Sequence, residues 1–339
     1  MEFILKVIFT ILLGEAAMII GIDGGGTKTT GILVDYNGVV VSKATVGASN
    51  PNGVREGDIR NELTLLFSLL TEKKPLSKVV LIYAGVSGVE SGGKKEWMSS
   101  LIKSITGQDI SVIVENDAIT ALYSGTKGNP GIVTICGTGS IIYGLNESGE
   151  RSRVGGWGYL INDGCSGFAL GKSLLEYVFS EFDKGILPCH LTQAVLQHFK
   201  LNSVAELIPR VYELGKSRDV VASVGKVVVQ YARNNDKTCL NILSVAAKQV
   251  VRDINILYEK LFYSTIQDTV TQIVLTGGIV EHSEELVSFI RKEIEVLNKP
   301  YHIILPNCPP IVGTIYASLK MLNKEINSRI IDTLEKQLV

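Results

Sequence analysis

A carboxylate followed by a run of glycines is the first feature of this chain whose residues could do chemistry. Asp23 closes a short apolar run and precedes glycines 24–26, and the hydroxyl-rich residues 27–30 lead into a second apolar run at 32–34. Two β-forming runs joined by a few residues that include glycine predict a β-hairpin. A tip without side chains lets backbone N–H groups close on an anion. We therefore predict an anion-binding hairpin near the start of the chain.

The carboxylate of Asp23 would repel a phosphate bound at this tip unless a cation lies between them. Mg²⁺ suits the position, because proteins bind it through one or two carboxylates together with phosphate oxygens. Asp23 is thus the candidate metal ligand. The hairpin is not a Walker-type loop, since no Gly-Lys-Ser/Thr sequence opens a helix there. A plain glycine-rich hairpin with an exposed aspartate is the alternative.

The composition is that of an ordinary globular chain. Its 339 residues are enough for two domains, and 45% hydrophobic with 20% charged residues is typical of soluble proteins. The net charge of −1 argues against nucleic-acid binding, which needs a basic face. The cysteines are scattered without a Cys-x-x-Cys pair, and the histidines lack metal-ligand spacing. This pattern favours a reducing, cytoplasmic location over a disulfide framework or a structural zinc site.

Residues 1–17 need a separate interpretation. Residues 3–13 are mostly apolar and are followed by small residues, which resembles a short signal peptide. Lys6 interrupts the run, which is too short to span a membrane. Because a phosphate site of this kind serves ligands of the cell interior, we interpret residues 1–17 as an N-terminal extension with Met18 as the functional start. A packed N-terminal helix is the alternative.

Apolar periodicity and turn residues predict an α/β layer after the hairpin. The predicted elements are, in order, a strand at 39–46, a helix around 59–70, a strand at 79–83, a helix at 94–105, a strand at 110–114 and a short helix from 118. Strands that alternate with helices in this way form a mixed sheet with right-handed crossovers. The turn-rich loop at 47–53 brings Asn50 to the surface.

The opening pattern returns once along the chain. Residues 132–149 again read as strand, Gly/Thr tip, strand and polar turn. Thr138 follows Thr27 at the same spacing at which the turn glycine Gly149 follows Gly38. The repeat indicates two copies of one α/β unit, each with a phosphate-facing hairpin, although two matching positions can also arise by coincidence.

The rest of the chain is predicted to be helical first and then α/β. Residues 165–265 are mostly helical, with apolar residues at three- and four-residue spacing. The last predicted elements are a strand at 272–275, a helix capped by Ser283, a strand at 301–305 and a C-terminal helix containing Gly313. Gly277 and Gly278 follow the first of these strands, and glycines there let a flat base approach the main chain.

Seven segments in this order resemble a known family. They are residues 21–29, 115–118, 136–140, 155–158, 162–167 and 275–278, and the final helix with Gly313. Together they are similar to the N-acetylglucosamine kinase branch of the actin-like ATPase and sugar kinase superfamily. That branch includes the BadF/BadG-type activator ATPases of benzoyl-CoA reductase. The similarity runs from about residue 18 to 320.

The resemblance implies two α/β domains of the ribonuclease H-like, or actin-like ATPase, type around a central nucleotide and sugar cleft. It places the N-terminal domain at 18–118, with a C-terminal helix at about 315–339 packed back on it. The second domain, with a helical insertion, covers 119–314. The hinge is expected at 117–123 and at 313–317, where small residues allow two helices to pass closely.

The activity implied by the resemblance is transfer of the γ-phosphate of ATP to the 6-hydroxyl of an N-acetylated amino sugar, with Mg²⁺. Asp117 follows the strand at 110–114 and would be the general base that accepts the hydroxyl proton. The alternative role for Asp117 is the N-cap of the helix that starts at Ala118. Asp23 would hold Mg²⁺ through water. We also expect a homodimer that binds no nucleic acid and no membrane.

The resemblance also implies the contacts to both substrates. The expected nucleotide contacts are Gly25, Gly26, Thr27, Lys28, Gly137, Thr138, Gly139, Gly277 and Gly278. The expected sugar contacts are Asn50, Gly156, Trp157 and Asp163. Trp157 fits an ordinary core position equally well.

The sugar segment departs from the family pattern. Residues 162–167 read Asn-Asp-Gly-Cys-Ser-Gly where the family reads Gly-Asp-Glu-Gly-Ser-Gly. Asp163 is retained, but the second carboxylate is missing and Cys165 replaces a glycine. A slacker pocket would admit a bulkier sugar such as N-acetylmuramic acid in place of N-acetylglucosamine.

Two other functions compete with the kinase. In an activator ATPase, an iron–sulfur cluster would need Cys136 and Cys165, yet Cys136 falls inside the phosphate hairpin, where a cluster has no room. A sugar or nucleotide sensor without catalysis fits the altered sugar segment. Retention of Asp23 and Asp117, the carboxylates that phosphoryl transfer needs, argues against the sensor.

Overall fold

The computed structural model describes residues 17–90, 92–161, 163–262 and 270–338. The chain packs into two compact units, which divide after Pro130 and again before Leu305, so that the C-terminal segment belongs to the first unit. The helix that starts at Asp117 lies within the first unit by this division. The functional domain boundaries expected at 118 and 314 stay a prediction.

Ten strands and twelve α-helices are assigned within the described residues. The strands are β1 Met18–Gly24, β2 Thr29–Asp35, β3 Val40–Val46, β4 Val79–Val86, β5 Ser111–Asn116, β6 Gly131–Cys136, β7 Ser140–Leu145, β8 Arg151–Gly155, β9 Thr271–Thr276 and β10 Tyr301–Ile304. The helices are α1 Glu56–Thr71, α2 Lys94–Thr106, α3 Asp117–Thr126, α4 Gly167–Asp183, α5 His190–Phe199, α6 Leu207–Val211, α7 Ser217–Arg233, α8 Lys237–Leu261, α9 Gly278–Glu281, α10 Glu284–Val296, α11 Ile311–Met321 and α12 Ser328–Leu338.

The first unit is built on a five-stranded sheet in the order β3-β2-β1-β4-β5. β1 pairs antiparallel with β2 up to Gly24 opposite Thr29, so the predicted opening hairpin is confirmed. On its other side β1 pairs parallel with β4, and β4 pairs parallel with β5. The carboxyl ends of β1, β4 and β5 therefore lie side by side at one edge of the sheet.

Alternation along β1 supplies two cores, one on each face of the sheet. Ile20 and Ile22 pack with α1 and α2, whose buried residues include Leu63. Ile19 points the other way and packs with residues of α11 and α12, such as Tyr316. A strand covered on both faces needs apolar residues at successive positions, which explains the unbroken apolar run before Asp23.

Two glycine contacts hold α11 against the rest of the first unit. A Cβ added to Gly313 would lie 1.9 Å from the backbone oxygen of Thr120 in α3. A Cβ added to Gly21 in β1 would lie 2.0 Å from Oγ1 of Thr314. The predicted close passage of two helices at Gly313 is thus confirmed, while the hinge assigned to it stays a prediction.

The second unit repeats the sheet of the first. Its order is β10-β9-β6-β7-β8, with β6 antiparallel to β7 and parallel to β9. β6 therefore holds the place that β1 holds in the first unit, and the predicted duplication is confirmed at the level of topology. The edge strand β8 was not predicted from the sequence.

Helices α4 to α8 fill the segment that was predicted to be mainly helical. They form one core with the sheet of the second unit, in which α8 contributes Leu243, Ile254 and Leu257. Ser283 caps α10 as predicted, because its Oγ accepts the N–H of Leu286 at 3.2 Å. Among the residues that the structure describes, none forms a helix long and apolar enough to cross a membrane.

Candidate active site

Two carboxylates lie at the carboxyl edge of the first sheet. Asp23 in β1 is opposite Gly85 of β4, and Gly85 is opposite Glu115, which precedes Asp117 by two residues. Both aspartates are surrounded by protein but keep a partly exposed edge. Strand ends in α/β sheets are the usual place for ligands, so we expect a substrate to bind at this edge.

Burial raises the pKa of both acids, and the charge of Asp23 adds to the rise at Asp117. Burial raises the pKa of Asp23 to about 6, and the charge of Lys28 opposes this rise. Burial, and then the negative charge of Asp23, raises the pKa of Asp117 to about 7. A carboxyl group with a pKa near neutrality is suited to accept and release a proton at physiological pH.

The capping role considered for Asp117 is wrong. α3 begins at Asp117 itself, and the cap is Asn116, whose side chain accepts the N–H of Ala118 at 2.8 Å. Gly85 lets the first turn of α3 approach β4, because a Cβ there would lie 2.4 Å from Cγ2 of Thr120. Asp117 is thus held at the start of a helix that is already capped by its neighbour.

The donor set at this edge fits a magnesium ion. Asp23 and Asp117 are acidic groups that repel one another, and Lys28 is the cation whose charge acts on Asp23. A divalent cation would relieve this repulsion, and Mg²⁺ is commonly held by one or two carboxylates plus phosphate oxygens and water. Asp23 is the residue that we expect to hold it.

The tip of the first hairpin is closed on one side and open on the other. Gly25 donates its N–H to the carbonyl of Lys28 at 2.9 Å, which forms the turn. Ser49 fastens the base of the turn, accepting a hydrogen bond from Thr29 Oγ1 at 2.8 Å. Gly26, by contrast, would meet no atom within 4 Å if it carried a Cβ. The exposed residues 26–28 are therefore accessible to a ligand.

Asn50 is held beside the end of β4. Its Nδ2 donates to Oγ of Ser87 at 3.0 Å, and its Oδ1 accepts the N–H of Asn52 at 2.8 Å. Gly88 is required here, because a Cβ would lie 2.4 Å from Oδ1 of Asn50. The structure therefore brings Asn50, Asp23 and Asp117 to the same edge of the first unit, and the contribution of Ser87 was missed by the sequence analysis.

The tip of the second hairpin is joined to the start of α4. Gly137 donates its N–H to the carbonyl of Gly139 at 2.9 Å and accepts the N–H of Gly167 at 2.7 Å. The carbonyl of Thr138 accepts the N–H of Phe168 at 3.4 Å. The structure therefore places the predicted phosphate tip directly against the segment that carries the predicted sugar residues.

Asp163 is fixed beside this second tip. Its Oδ1 accepts the N–H of Ser140, the residue that follows the tip. Ser166 holds the segment by donating to the carbonyl of Asp163 at 2.8 Å. Within the described part of the chain, Oδ2 of Asp163 is buried and has no hydrogen-bond partner. An unpaired carboxylate oxygen at this place is available to a donor on a ligand, such as a hydroxyl group.

The other predicted contacts of the second unit lie at two places. Gly277 follows β9 with a φ of +102°, and a Cβ there would lie 2.5 Å from the carbonyl oxygen of Cys136. Gly278 has open space beside it.

Trp157 is 58% exposed, so the core alternative for this residue is wrong. The guanidinium of Arg153 lies 4.1 Å from the Trp157 ring centroid, and Gly156 before it packs on Ile141.

The two residues that differ from the family pattern, Gly164 and Cys165, contact different parts of the second unit. Gly164 lies against Gln249 of α8, and Cys165 contacts Cys136. A Cβ added to Gly164 would lie 2.5 Å from Cγ of Gln249, so a glutamate at this position would require the Gln249 side chain to shift. Cys165 is buried and its thiol is hydrogen-bonded to that of Cys136. This hydrogen bond and burial raise the pKa of Cys136 well above its usual range. Two buried thiols that are hydrogen-bonded to each other do not favour the iron–sulfur alternative.

Arg218 is a further side chain at the second tip that the sequence analysis missed. It belongs to the first turn of α7, and its Nη2 lies 2.8 Å from the position that a Cβ of Gly139 would occupy. Residues 139 and 218 are far apart along the chain, and α7 carries no motif that points to ligand binding. Only the packing of α7 reveals this neighbour.

The chain belongs to the BadF/BadG/BcrA/BcrD ATPase family, whose model matches residues 20–319. It is 32% identical over 317 residues to the N-acetyl-D-glucosamine kinase of Dictyostelium discoideum, covering 90% of this chain and 98% of that protein. It is 31% identical over 284 residues to the N-acetylmuramic acid/N-acetylglucosamine kinase of Clostridium acetobutylicum, covering 83% of this chain and 91% of that protein. The family assignment made from the sequence is confirmed.

The fold assignment is confirmed as well. The structure of a putative N-acetylglucosamine kinase from Chromobacterium violaceum superimposes with a TM-score of 0.68 at 22% identity, covering 89% of this chain and 99% of that one. The repeated five-stranded sheets are those of two actin-like ATPase domains.

Proposed function

We propose that the protein is an ATP-dependent amino-sugar kinase that phosphorylates the 6-hydroxyl of N-acetylglucosamine or a relative such as N-acetylmuramic acid. The observation that carries the proposal is the pair Asp23 and Asp117 at one strand edge, with the pKa of Asp117 raised to about 7. The named activities of the two curated relatives support the same reaction class.

In the proposed reaction Asp117 accepts the proton of the sugar hydroxyl as its oxygen attacks the γ-phosphorus. The new bond joins the sugar oxygen to phosphorus, and the bond between the γ-phosphorus and the β,γ-bridging oxygen breaks to release ADP. Phosphoryl transfer has a loose transition state, so the protein mainly orients the reactants and neutralises charge. Mg²⁺ at Asp23 would screen the negative charge of the phosphate oxygens.

The nucleotide contacts are proposed at the two hairpin tips and at the β9–α9 junction. Residues 25–28 and 137–139 form compact turns with few side chains, which suit phosphate oxygens. The open space beside Gly278 and the positive φ of Gly277 suit close approach of a planar base.

The sugar contacts are proposed at Asn50 in the first unit and at Asp163, Gly156 and Trp157 in the second. Asn50 is already positioned by Ser87, and the unpaired Oδ2 of Asp163 can accept a sugar hydroxyl. The exposed indole of Trp157 can cover an apolar face of the sugar or its acetyl methyl group. Gln249 fills the place of the missing glutamate and would alter sugar choice.

The proposal is tested by ADP release from ATP and Mg²⁺ with one sugar at a time. N-Acetylglucosamine, N-acetylmuramic acid, glucosamine, N-acetylmannosamine and glucose form the panel. ADP that appears only with one or two N-acetyl sugars supports the kinase and identifies its substrate. Slow hydrolysis that is indifferent to every sugar contradicts it.

We further propose a cytoplasmic homodimer. The described cysteines are all free, which agrees with a reducing compartment. Light scattering coupled to size exclusion should give about twice the mass of one chain, and the mass of a single chain contradicts the dimer.

A further inference from the structure

Arg218 lies against the tip of the second hairpin. Its Nη2 is 2.8 Å from the place where a Cβ of Gly139 would be, so a side chain at position 139 would force the guanidinium to move. Cζ of Arg218 is also 5.9 Å from the ring centroid of Tyr159. The guanidinium is thus near both an aromatic ring and a turn proposed to bind phosphate.

Arg218 forms no salt bridge within the described part of the chain. Two other exposed arginines of the second unit do have one: Arg210 pairs with Glu213, and Nε of Arg252 lies 3.6 Å from Oδ1 of Asp253. The side chain of Arg218 is exposed to solvent. Its charge is therefore available to an anion at the Gly139 tip.

The carboxylate of Asp163 also lies near this point. Its Oδ2 and Oδ1 lie 3.4 Å and 3.5 Å from the Cβ position of Gly139. Oδ2 is the buried oxygen without a hydrogen-bond partner, and Asp163 is 8% exposed. The carboxylate of Asp163, a hydrogen-bond acceptor, and the guanidinium of Arg218, which carries several donors, thus both lie beside Gly139. This arrangement fits a hydroxyl group next to a phosphate, since the carboxylate accepts from the hydroxyl and the guanidinium donates to phosphate oxygens.

We propose that Arg218 binds the γ-phosphate of ATP and stabilises its charge during transfer, an inference that rests on the proposed kinase function. A guanidinium presents its donors in a planar fork that matches two phosphate oxygens. An arginine that contacts the transferred group is worth far more in the transition state than a surface charge. ADP lacks this phosphate, so Arg218 should matter little for binding ADP.

The test compares Arg218→Gln and Arg218→Lys with Arg210→Gln. Arg210 is the matched control, because its Cζ also lies 5.9 Å from an aromatic ring centroid, that of Phe199, but it belongs to the short helix α6. We expect Arg218→Gln to lower kcat about a hundredfold and to remove most of the preference of the protein for ATP over ADP, measured by calorimetry. Arg218→Lys should recover part of both effects, because a point charge remains.

The measured kcat and the ATP-to-ADP affinity ratio decide whether Arg218 binds the γ-phosphate. It is overturned if folded Arg218→Gln keeps kcat and the ATP-to-ADP affinity ratio within about twofold of wild type, or if Arg210→Gln behaves in the same way as Arg218→Gln. A wild-type protein that binds neither nucleotide overturns the kinase function and the inference together. If wild type prefers ATP but phosphorylates no sugar in the panel, only the kinase function fails, and the affinity ratio of Arg218→Gln still decides the role of Arg218.

Discussion

Replacing Asp117 by asparagine should abolish turnover and at the same time stabilise the protein. The carboxyl group is enclosed, and burial followed by the charge of Asp23 raises its pKa from 3.8 to about 7. An unfolded chain ionises this group near its ordinary pKa, so at neutral pH folding must remove a charge from water. Asparagine has the same shape without the charge, and the penalty disappears in Asp117→Asn.

The pH dependence follows from the direction of the shift. Below about pH 4 the carboxyl group is protonated in both states and contributes no difference. Between about pH 4 and pH 7 the unfolded state is ionised while the folded state keeps its proton, so wild type loses stability as pH rises. At about 1.4 kcal/mol per pKa unit the full shift has an upper limit of about 4 kcal/mol. Since Asp117 keeps a partly exposed edge, we expect about 2 kcal/mol.

The assay is thermal unfolding at pH 8 and pH 5 in EDTA, without nucleotide. Asp117→Asn should melt roughly 4–8 °C above wild type at pH 8, and the gain should fall to less than half of that at pH 5. Asp332→Asn is the matched control, because Asp332 is exposed on α12 of the same unit, and it should change stability by less than about 0.5 kcal/mol. Sugar-dependent ADP release by Asp117→Asn should drop at least about a hundredfold.

Two results would refute this reasoning. A variant that keeps more than about a tenth of wild-type turnover excludes Asp117 as the general base. A stability gain of equal size at both pH values means that the buried charge is not its source.

Three further predictions concern the metal, the helix contact and the sugar segment. Asp23→Asn should raise the Mg²⁺ concentration needed for half-maximal turnover at least about tenfold, measured by metal titration. Gly313→Ala should lower the free energy of unfolding by about 2 kcal/mol or more, measured in urea, because its Cβ would lie 1.9 Å from the Thr120 oxygen. Gly164→Glu should destabilise by about 1–3 kcal/mol, and Gln249→Ala in the same chain should restore part of the loss.

Each of these has a control and a contradicting outcome. As the control, Asp332→Asn should leave the Mg²⁺ concentration for half-maximal turnover unchanged. If Asp23→Asn also leaves it unchanged, Asp23 is not a Mg²⁺ ligand. A Cβ at Gly57 in α1 would have no atom within 4 Å, so Gly57→Ala should leave the free energy of unfolding unchanged or raise it. If Gly313→Ala also fails to lower the free energy of unfolding, α3 and α11 can separate to admit the methyl group. The prediction for the sugar segment is wrong if Gly164→Glu, with Gln249 unchanged, is as stable as wild type.

The local elements could be predicted because neighbouring residues encode them. The hairpin around residues 24–29 follows from glycines between two apolar runs, and Ser283 caps its helix through an N–H three residues away. The repeated hairpin and the family motifs located the carboxylates for the same reason, since each motif lies within one turn or strand end. Asp23 and Asp117 were therefore identified before their neighbours were known.

Packing between distant segments decided the rest. Asn116 rather than Asp117 caps α3, Trp157 lies on the surface, and Gln249 fills the space beside Gly164. The approach of Arg218 to Gly139 depends on how α7 packs in the second unit. The sequence patterns around residues 139 and 218 do not predict this contact. Sequence patterns report which face of an element is buried, because that is a local property. Which side chain from another element covers a given glycine is set by the tertiary fold.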